Sequence, residues 1–260
     1  GAASFIYYTW LGNKRAKSMT MNQMTSLPVN DPSVWVQPIM TNAYLGPEFS
    51  DVMIRDCLTT SHAVYHECDR QNLLRTVANH IAEGHVVGWF QGRMEWGPRA
   101  LGNRSILADP RDPTMKDIVN EKVKKRETFR PFAPTVLLER TSEYFDIDCP
   151  SPYMLLIAQV KKPNVPAITH VDGSARLQTI AREDNPLYYD LIAEFYRITG
   201  VPLVLNTSYN MAGEPIVCSP QDAFRTFMNT QIDLLAIGSF TLAKEEQDLK
   251  NEHEGDRRES

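Results

Sequence analysis

His85-Val-Val-Gly-Trp-Phe90 is a short apolar run with Gly84 directly before it, and it leads without a break into Gln91-Gly-Arg-Met-Glu-Trp-Gly-Pro-Arg-Ala-Leu-Gly-Asn-Arg-Ser105. A run of that length bounded by glycine reads as a buried strand. The segment after it holds too much Gly and Pro for one regular helix, so it reads as a loop beyond the strand's carboxyl end, where sites commonly lie. Arg93, Arg99 and Arg104 stand between its glycines. A guanidinium fork binds two oxygens at once, which suits carboxylate and phosphate, and glycines let backbone amides approach as well. The loop therefore points to an anionic ligand. The alternative is a solvated loop whose arginines pair with Glu95, Asp109 and Asp112, which for such a loop taken alone is the commoner outcome.

Working outward, the chain alternates helix and strand signals. Ser50 and Asp51 cap a helix through about Cys57, and Asn72 to Ala82 has amphipathic spacing that Gly84 stops. Asp112-Pro113 is an N-cap followed by proline, with Met115, Ile118, Val119 and Val123 on the buried face of the helix it starts. Phe132–Leu138, Tyr153–Val160 and Val201–Leu205 read as strands, and Leu234–Leu242 as one or two more. Helices are expected from Pro186 to Thr199, ended by Gly200, and from Ser219-Pro220 onward. The class is α/β. Residues 1 to 45 read as linker or surface loop after their opening apolar stretch, and Lys244 to Ser260 as a charged, disordered tail.

Composition sets the limits. The chain has 260 residues with 42% hydrophobic content, enough for a proper core. A net charge of −5 argues against a surface built throughout for nucleic acid, and the four scattered cysteines support neither a disulfide framework nor a cysteine-rich zinc site. With no apolar run of spanning length and no secretory signal, the expected location is cytoplasmic. Gly1 in place of methionine suggests a fragment or a processed chain. His62 and His66 have the spacing of a zinc half-site without a third ligand, so no metal is assigned to them.

Three further segments bear on the anion. Lys122, Lys124, Lys125 and Arg126 close the helix after Asp112, where complementing the helix dipole accounts for only part of the charge. Arg130 in Phe129-Arg-Pro-Phe-Ala-Pro134 is fixed in a stiff apolar stretch, a setting that calls for a counter-anion. Leu203-Val-Leu-Asn-Thr-Ser-Tyr-Asn210 runs an apolar strand into small polar donors, and His170-Val-Asp-Gly-Ser-Ala-Arg176 offers His170 and Arg176 around a turn. Neither the P-loop nor the Rossmann glycine pattern occurs, so a bound nucleotide would need another phosphate site.

Four stretches, GRMEWGPRALGNRSILADPR, VKKRETFRPFAPTVL, THVDGSARLQTI and LNTSYNMAGEPIV, occur in the order and spacing of the C-terminal region of NodU/CmcH-type O-carbamoyltransferases. The resemblance covers roughly Asn42 to Lys244, beginning with Ala43-Tyr-Leu-Gly-Pro-Glu-Phe-Ser-Asp51. It implies a YrdC-like twisted mixed sheet with flanking helices, spanning 42–244. It further implies an enzyme that forms carbamoyl-adenylate from carbamoyl phosphate and ATP, with Mg²⁺ on the ATP phosphates. Lys124, Arg126, Ser208 and Asn210 fall on the YrdC-like signature. The same matching gives Arg99, Arg104 and Arg130 to carbamoyl phosphate and Arg176 to the nucleotide phosphates, with Lys124, Arg126 and Arg130 as the catalytic cations.

The resemblance also implies what lies outside this stretch. An actin-like domain precedes it in the family, binds the acceptor hydroxyl and transfers the carbamoyl group to a small molecule. Residues 1–41 would be the end of that domain plus a linker, and 245–260 a disordered tail. A homodimer is the family's tendency, and neither a membrane nor a nucleic acid is expected as a partner. The competing reading is a non-catalytic nucleotide- or RNA-binding module of the same fold, distinguished by cations spread along a groove instead of gathered at a pocket.

Overall fold

The computed structural model describes residues 42–125 and 131–247. Among them a mixed sheet of nine strands runs in the order β1-β9-β8-β2-β3-β7-β4-β6-β5. The strands are β1 (His66–Glu67), β2 (Val87–Phe90), β3 (Arg104–Ala108), β4 (Ala133–Leu137), β5 (Leu156–Gln159), β6 (Ser174–Ile180), β7 (Leu203–Ser208), β8 (Leu234–Ile237) and β9 (Phe240–Ala243). β2 is parallel to β8 and β4 to β6, while β3 pairs antiparallel with both β2 and β7. The principal helices are α1 (Asp51–Thr60), α2 (Arg70–Ala82), α3 (Met115–Val119), α4 (Pro186–Thr199) and α5 (Pro220–Met228). The expected α/β class, a mixed sheet with flanking helices, is what the chain forms.

Local chemistry accounts for most boundaries. Ser50 and Asp69 cap α1 and α2 by accepting the amides of Met53 and Asn72, and Ser219 with Asp222 forms a reciprocal capping box on α5. In α4, Pro186 follows the Asn185 cap, Tyr188, Leu191, Ile192 and Phe195 form the buried stripe, and Gly200 ends the helix at φ 74°. All four residues of β2 are buried, as expected of a strand covered on both sides of the sheet.

The structure departs from the sequence reading in four places. β3 and β6 are strands where a loop and a turn are expected: β6 alternates polar with apolar residues, and β3 opens on the buried Arg104 and Ser105 before Ile106, Leu107 and Ala108. β7 continues through Asn206, Thr207 and Ser208, so those side chains project from a strand and not from a loop. α3 widens at Asn120–Lys124 into a π-type turn that Lys125 closes in left-handed backbone, at φ 44°. At the other end, residues 244–247 make a helical turn whose buried Gln247 exchanges hydrogen bonds with the backbone of Val64 (3.0 and 2.7 Å), so order extends past the expected start of the tail. The remainder of that tail, 248–260, lies outside the described residues, as do 1–41. No helix among the described residues is long and apolar enough to cross a membrane.

Gly102 leaves no room for a side chain. Its φ is +111°, and a Cβ there would stand 2.1 Å from the Tyr188 ring. Gly102→Ala is expected to lower unfolding free energy by about 2–4 kcal/mol, strain and overpacking combined, measured by urea denaturation.

Candidate functional site

The loop between β2 and β3 is shaped by a buried carboxylate. Glu95 is 5% exposed, and its Oε1 accepts from the backbone amides of Leu101 (2.7 Å), Asn103 (2.8 Å) and, more weakly, Arg104 (3.3 Å). Three amides turned onto one oxygen pull the loop into a closed bend. Asn103 fastens both sides of the bend, donating to the Arg93 carbonyl (2.6 Å) and accepting from the Asn185 side chain at the start of α4 (2.8 Å).

The sheet holds the loop from below. Thr135 on β4, Gln178 on β6 and Asn206 on β7 are all buried and form one polar network. Gln178 donates to the Leu101 carbonyl (2.8 Å) and Asn206 to the Ala100 carbonyl (3.2 Å), while the Tyr44 hydroxyl also donates to Leu101 (2.9 Å). Arg99 is thereby fixed at the rim of the sheet immediately before two anchored residues.

Arg99 and Arg176 meet across a cleft. Two adjoining hollows, of about 410 and 90 Å³, share Arg99, Pro131, Phe132, Ala133 and Arg176 as lining. His170 and Ile157 border the wide arm; Asn206, Thr207 and Ser208 border the narrow one. No carboxylate lines either arm among the described residues. Arg99 and Arg176 make no side-chain hydrogen bond or ion pair among those residues. Burial, and after it the nearby charge of Arg99, pulls Arg176 below the usual guanidinium pKa. Burial likewise lowers His170, and the nearby charge of Arg176 adds to this, while Asp172 opposes it.

The carboxylates that might have neutralised this loop are engaged elsewhere. Glu95 is bound by amides, Asp109 holds Arg111 (2.9 Å), and Asp112 accepts from the amide and hydroxyl of Thr114 (2.7 Å each). The solvated-loop alternative therefore fails for Arg99.

Arg104 is a correction. Its side chain is 0% exposed and its guanidinium donates to the carbonyls of Gln91 (2.6 Å), Asn103 (3.0 Å), Pro47 and Gly92 (3.2 Å each), lying 3.7 Å over the Phe90 ring. Burial brings its pKa down to about 10, with Glu95 opposing. A fork already bound to four carbonyls positions the loop; it does not face the cleft.

Lys124, Ser208 and Asn210 are brought together as expected. Lys124 Nζ donates to the Asn210 side chain (2.8 Å) and carbonyl (3.0 Å) and to the Ser208 carbonyl and hydroxyl (2.5 and 3.2 Å), and Ser208 Oγ donates to Asn210 Oδ1 (2.6 Å). The π-type turn delivers this buried ammonium. Ser208 borders the narrow arm, whereas Lys124 and Asn210 stand behind it. Arg126 and Arg130 lie outside the described residues. Lys122 is paired with Asp233 (2.6 Å) and belongs to the scaffold.

Sequence reading missed Glu95, Thr135, Gln178, Asn206 and Tyr44. The period-two pattern of Ser174-Ala-Arg-Leu-Gln178 carries a usable signal, since it puts Arg176 and Gln178 on one face of a strand. No local pattern reveals that a single carboxylate will bind three amides of its own loop.

Comparison with known proteins adds an independent finding. The family described as carbamoyltransferase C-terminus matches residues 78–244. An uncharacterized Synechocystis protein, sll1178, is 43% identical over 98% of this chain and 43% of its own length. Nodulation protein NolO of Bradyrhizobium diazoefficiens is 43% identical over 82% of this chain and 40% of its own. The chain thus spans about two fifths of these relatives. Among solved structures, that of E. coli YciO overlays with a TM-score of 0.49 and 17% identity, covering 66% of this chain and 81% of that one.

Glu95→Ala strands three amides in a buried loop, and a loss of about 2–4 kcal/mol is expected in urea denaturation. Glu95→Gln, which keeps an acceptor oxygen, should lose clearly less.

Proposed function

The chain belongs to the carbamoyltransferase C-terminus family, and we propose that its cleft binds carbamoyl phosphate and ATP and joins them as carbamoyl-adenylate. The observation that carries this reading is Arg99 and Arg176 at one cleft that no carboxylate lines among the described residues. Two guanidinium groups held against each other's repulsion, one of them half-buried, are poised for an anion that neutralises both. Their gathering at a hollow favours small anionic substrates over RNA.

In balanced form, water and carbamoyl phosphate give carbamate and phosphate. A carbamate oxygen then attacks the α-phosphorus of ATP, forming the new P–O bond as the bond to pyrophosphate breaks. No protein nucleophile takes part. The chain's contribution is to bring anions together and hold them. Arg99 and Arg176 offset charge on the phosphates, and Ser208 borders the narrow arm with its carbonyl and hydroxyl bound to Lys124. Lys124 supplies positive potential behind it, in a setting where fixed charges act strongly. Arg126 and Arg130 join these cations in the proposal on sequence matching alone. Arg104 holds the loop.

Among the described residues, no group of three metal-ligating side chains occurs and no carboxylate lines the cleft. These residues do not fit a protein-held ion, so Mg²⁺ belongs to this reading only as a companion of the ATP phosphates. The proposal includes a cytoplasmic setting, a preceding actin-like domain that carries the acceptor hydroxyl, a small-molecule acceptor and a homodimer. Residues 42–244 are the proposed activating domain.

Carbamoyl-phosphate-dependent exchange of labelled pyrophosphate into ATP tests the reading. The expected outcome is exchange by the wild type and a fall of about a hundredfold or more in Lys124→Ala and Arg176→Ala. A folded, ATP-binding wild type without exchange contradicts activation by this chain, and exchange untouched by both substitutions contradicts the residue assignment.

A further inference from the structure

Asn206 lies on β7, is 1% exposed, and borders the narrow arm together with Arg99, Arg176 and Ser208. Its amide nitrogen is fully engaged, donating toward the Ala100 carbonyl (3.2 Å), Thr135 Oγ1 (3.0 Å) and Gln178 Oε1 (3.1 Å). These partners fix which end of the amide is which. The Ala100 carbonyl only accepts; Gln178 is oriented by its own donation to the Leu101 carbonyl (2.8 Å); and the Thr135 hydroxyl gives its proton to Gln178 (2.8 Å). A flipped Asn206 would set oxygen against oxygen. The amide oxygen Oδ1 is therefore directed away from the network, and it is buried with no hydrogen-bond partner. A fully oriented side chain with one unmet acceptor is the mark of a missing donor.

The surroundings limit what that donor can be. Arginine offers donors only, so the cationic walls of the arm select an anion and leave an acceptor unmet. The arm measures about 90 Å³ against about 410 Å³ for the wide arm, so it suits a small group and leaves the bulk of a larger ligand to the wide arm. The occupant is then a small N–H-bearing group attached to an anionic oxygen.

Resting on the reading above, we propose that Asn206 is the specificity-determining residue for the carbamoyl group, its Oδ1 accepting a hydrogen bond from the carbamoyl NH₂. Carbamoyl phosphate differs from acetyl phosphate by an amino group where the other has a methyl of similar size. Charge and shape recognition by the arginines cannot separate the two. An acceptor fixed in a buried site can, since the methyl leaves it unpaired.

The test compares the two acyl phosphates by calorimetric titration of the wild-type protein and of Asn206→Ala, with thermal melting to establish folding. The wild type is expected to prefer carbamoyl phosphate by about tenfold or more, and the variant to bind both about equally. Asn206→Ser, a smaller polar side chain that lacks the amide oxygen, carries the same comparison if the alanine variant does not fold. Equal binding of both ligands by the wild type overturns this inference while leaving the cleft's proposed use standing. So does a folded variant that retains the preference. Binding of neither ligand overturns the underlying reading instead.

Discussion

The cleft depends on the Glu95 carboxylate and the three backbone amides that converge on it. A loop rich in glycine and arginine has many conformations available in water, and like charges drive it apart. Glu95 selects one bend by satisfying donors that would otherwise be buried unpaired, at the cost of removing a negative charge from the set that could pair with the arginines. The same residue thus organises the loop and leaves Arg99 unpaired among the described residues.

The sheet extends that logic. Side chains from three adjacent strands, Thr135, Gln178 and Asn206, form a buried polar network that holds the loop carbonyls of Ala100 and Leu101. Such networks are costly unless satisfied, and here every member is satisfied except the Asn206 oxygen. Arg104 plays an equivalent part from the loop's own side, its charge dispersed over four carbonyls and an aromatic ring. Rigid elements then present Arg99 and Arg176 at fixed positions. Electrostatic preorganisation of this kind does not require charges to move when the ligand arrives.

Much of this was legible in the sequence, and the limits have physical causes. Caps and periodicity located α1, α2, α4 and α5 because those signals are local. Clustering of Lys124, Ser208 and Asn210 followed from motif matching, although their separation of more than 80 residues hides it from any local pattern. Arg104 was misread because an arginine's role depends on what meets its donors, and those carbonyls belong to Pro47, Gln91 and Gly92 as folded. β6 was missed because polar residues interrupt its apolar pattern, and β3 because it opens on Arg104 and Ser105, whose burial no local pattern reveals. Asn206 read as the first of the small polar donors beyond the apolar run, although the strand continues through Ser208.

The account's central claim is that Arg99 and Arg176 share one anion. A double-mutant cycle over Arg99→Ala and Arg176→Ala, reading inorganic phosphate affinity by calorimetry, addresses it directly. The prediction is that each substitution weakens phosphate binding and that the pair couples by at least about 0.5 kcal/mol. Phosphate affinity unchanged by either substitution, or strictly additive losses, would contradict it.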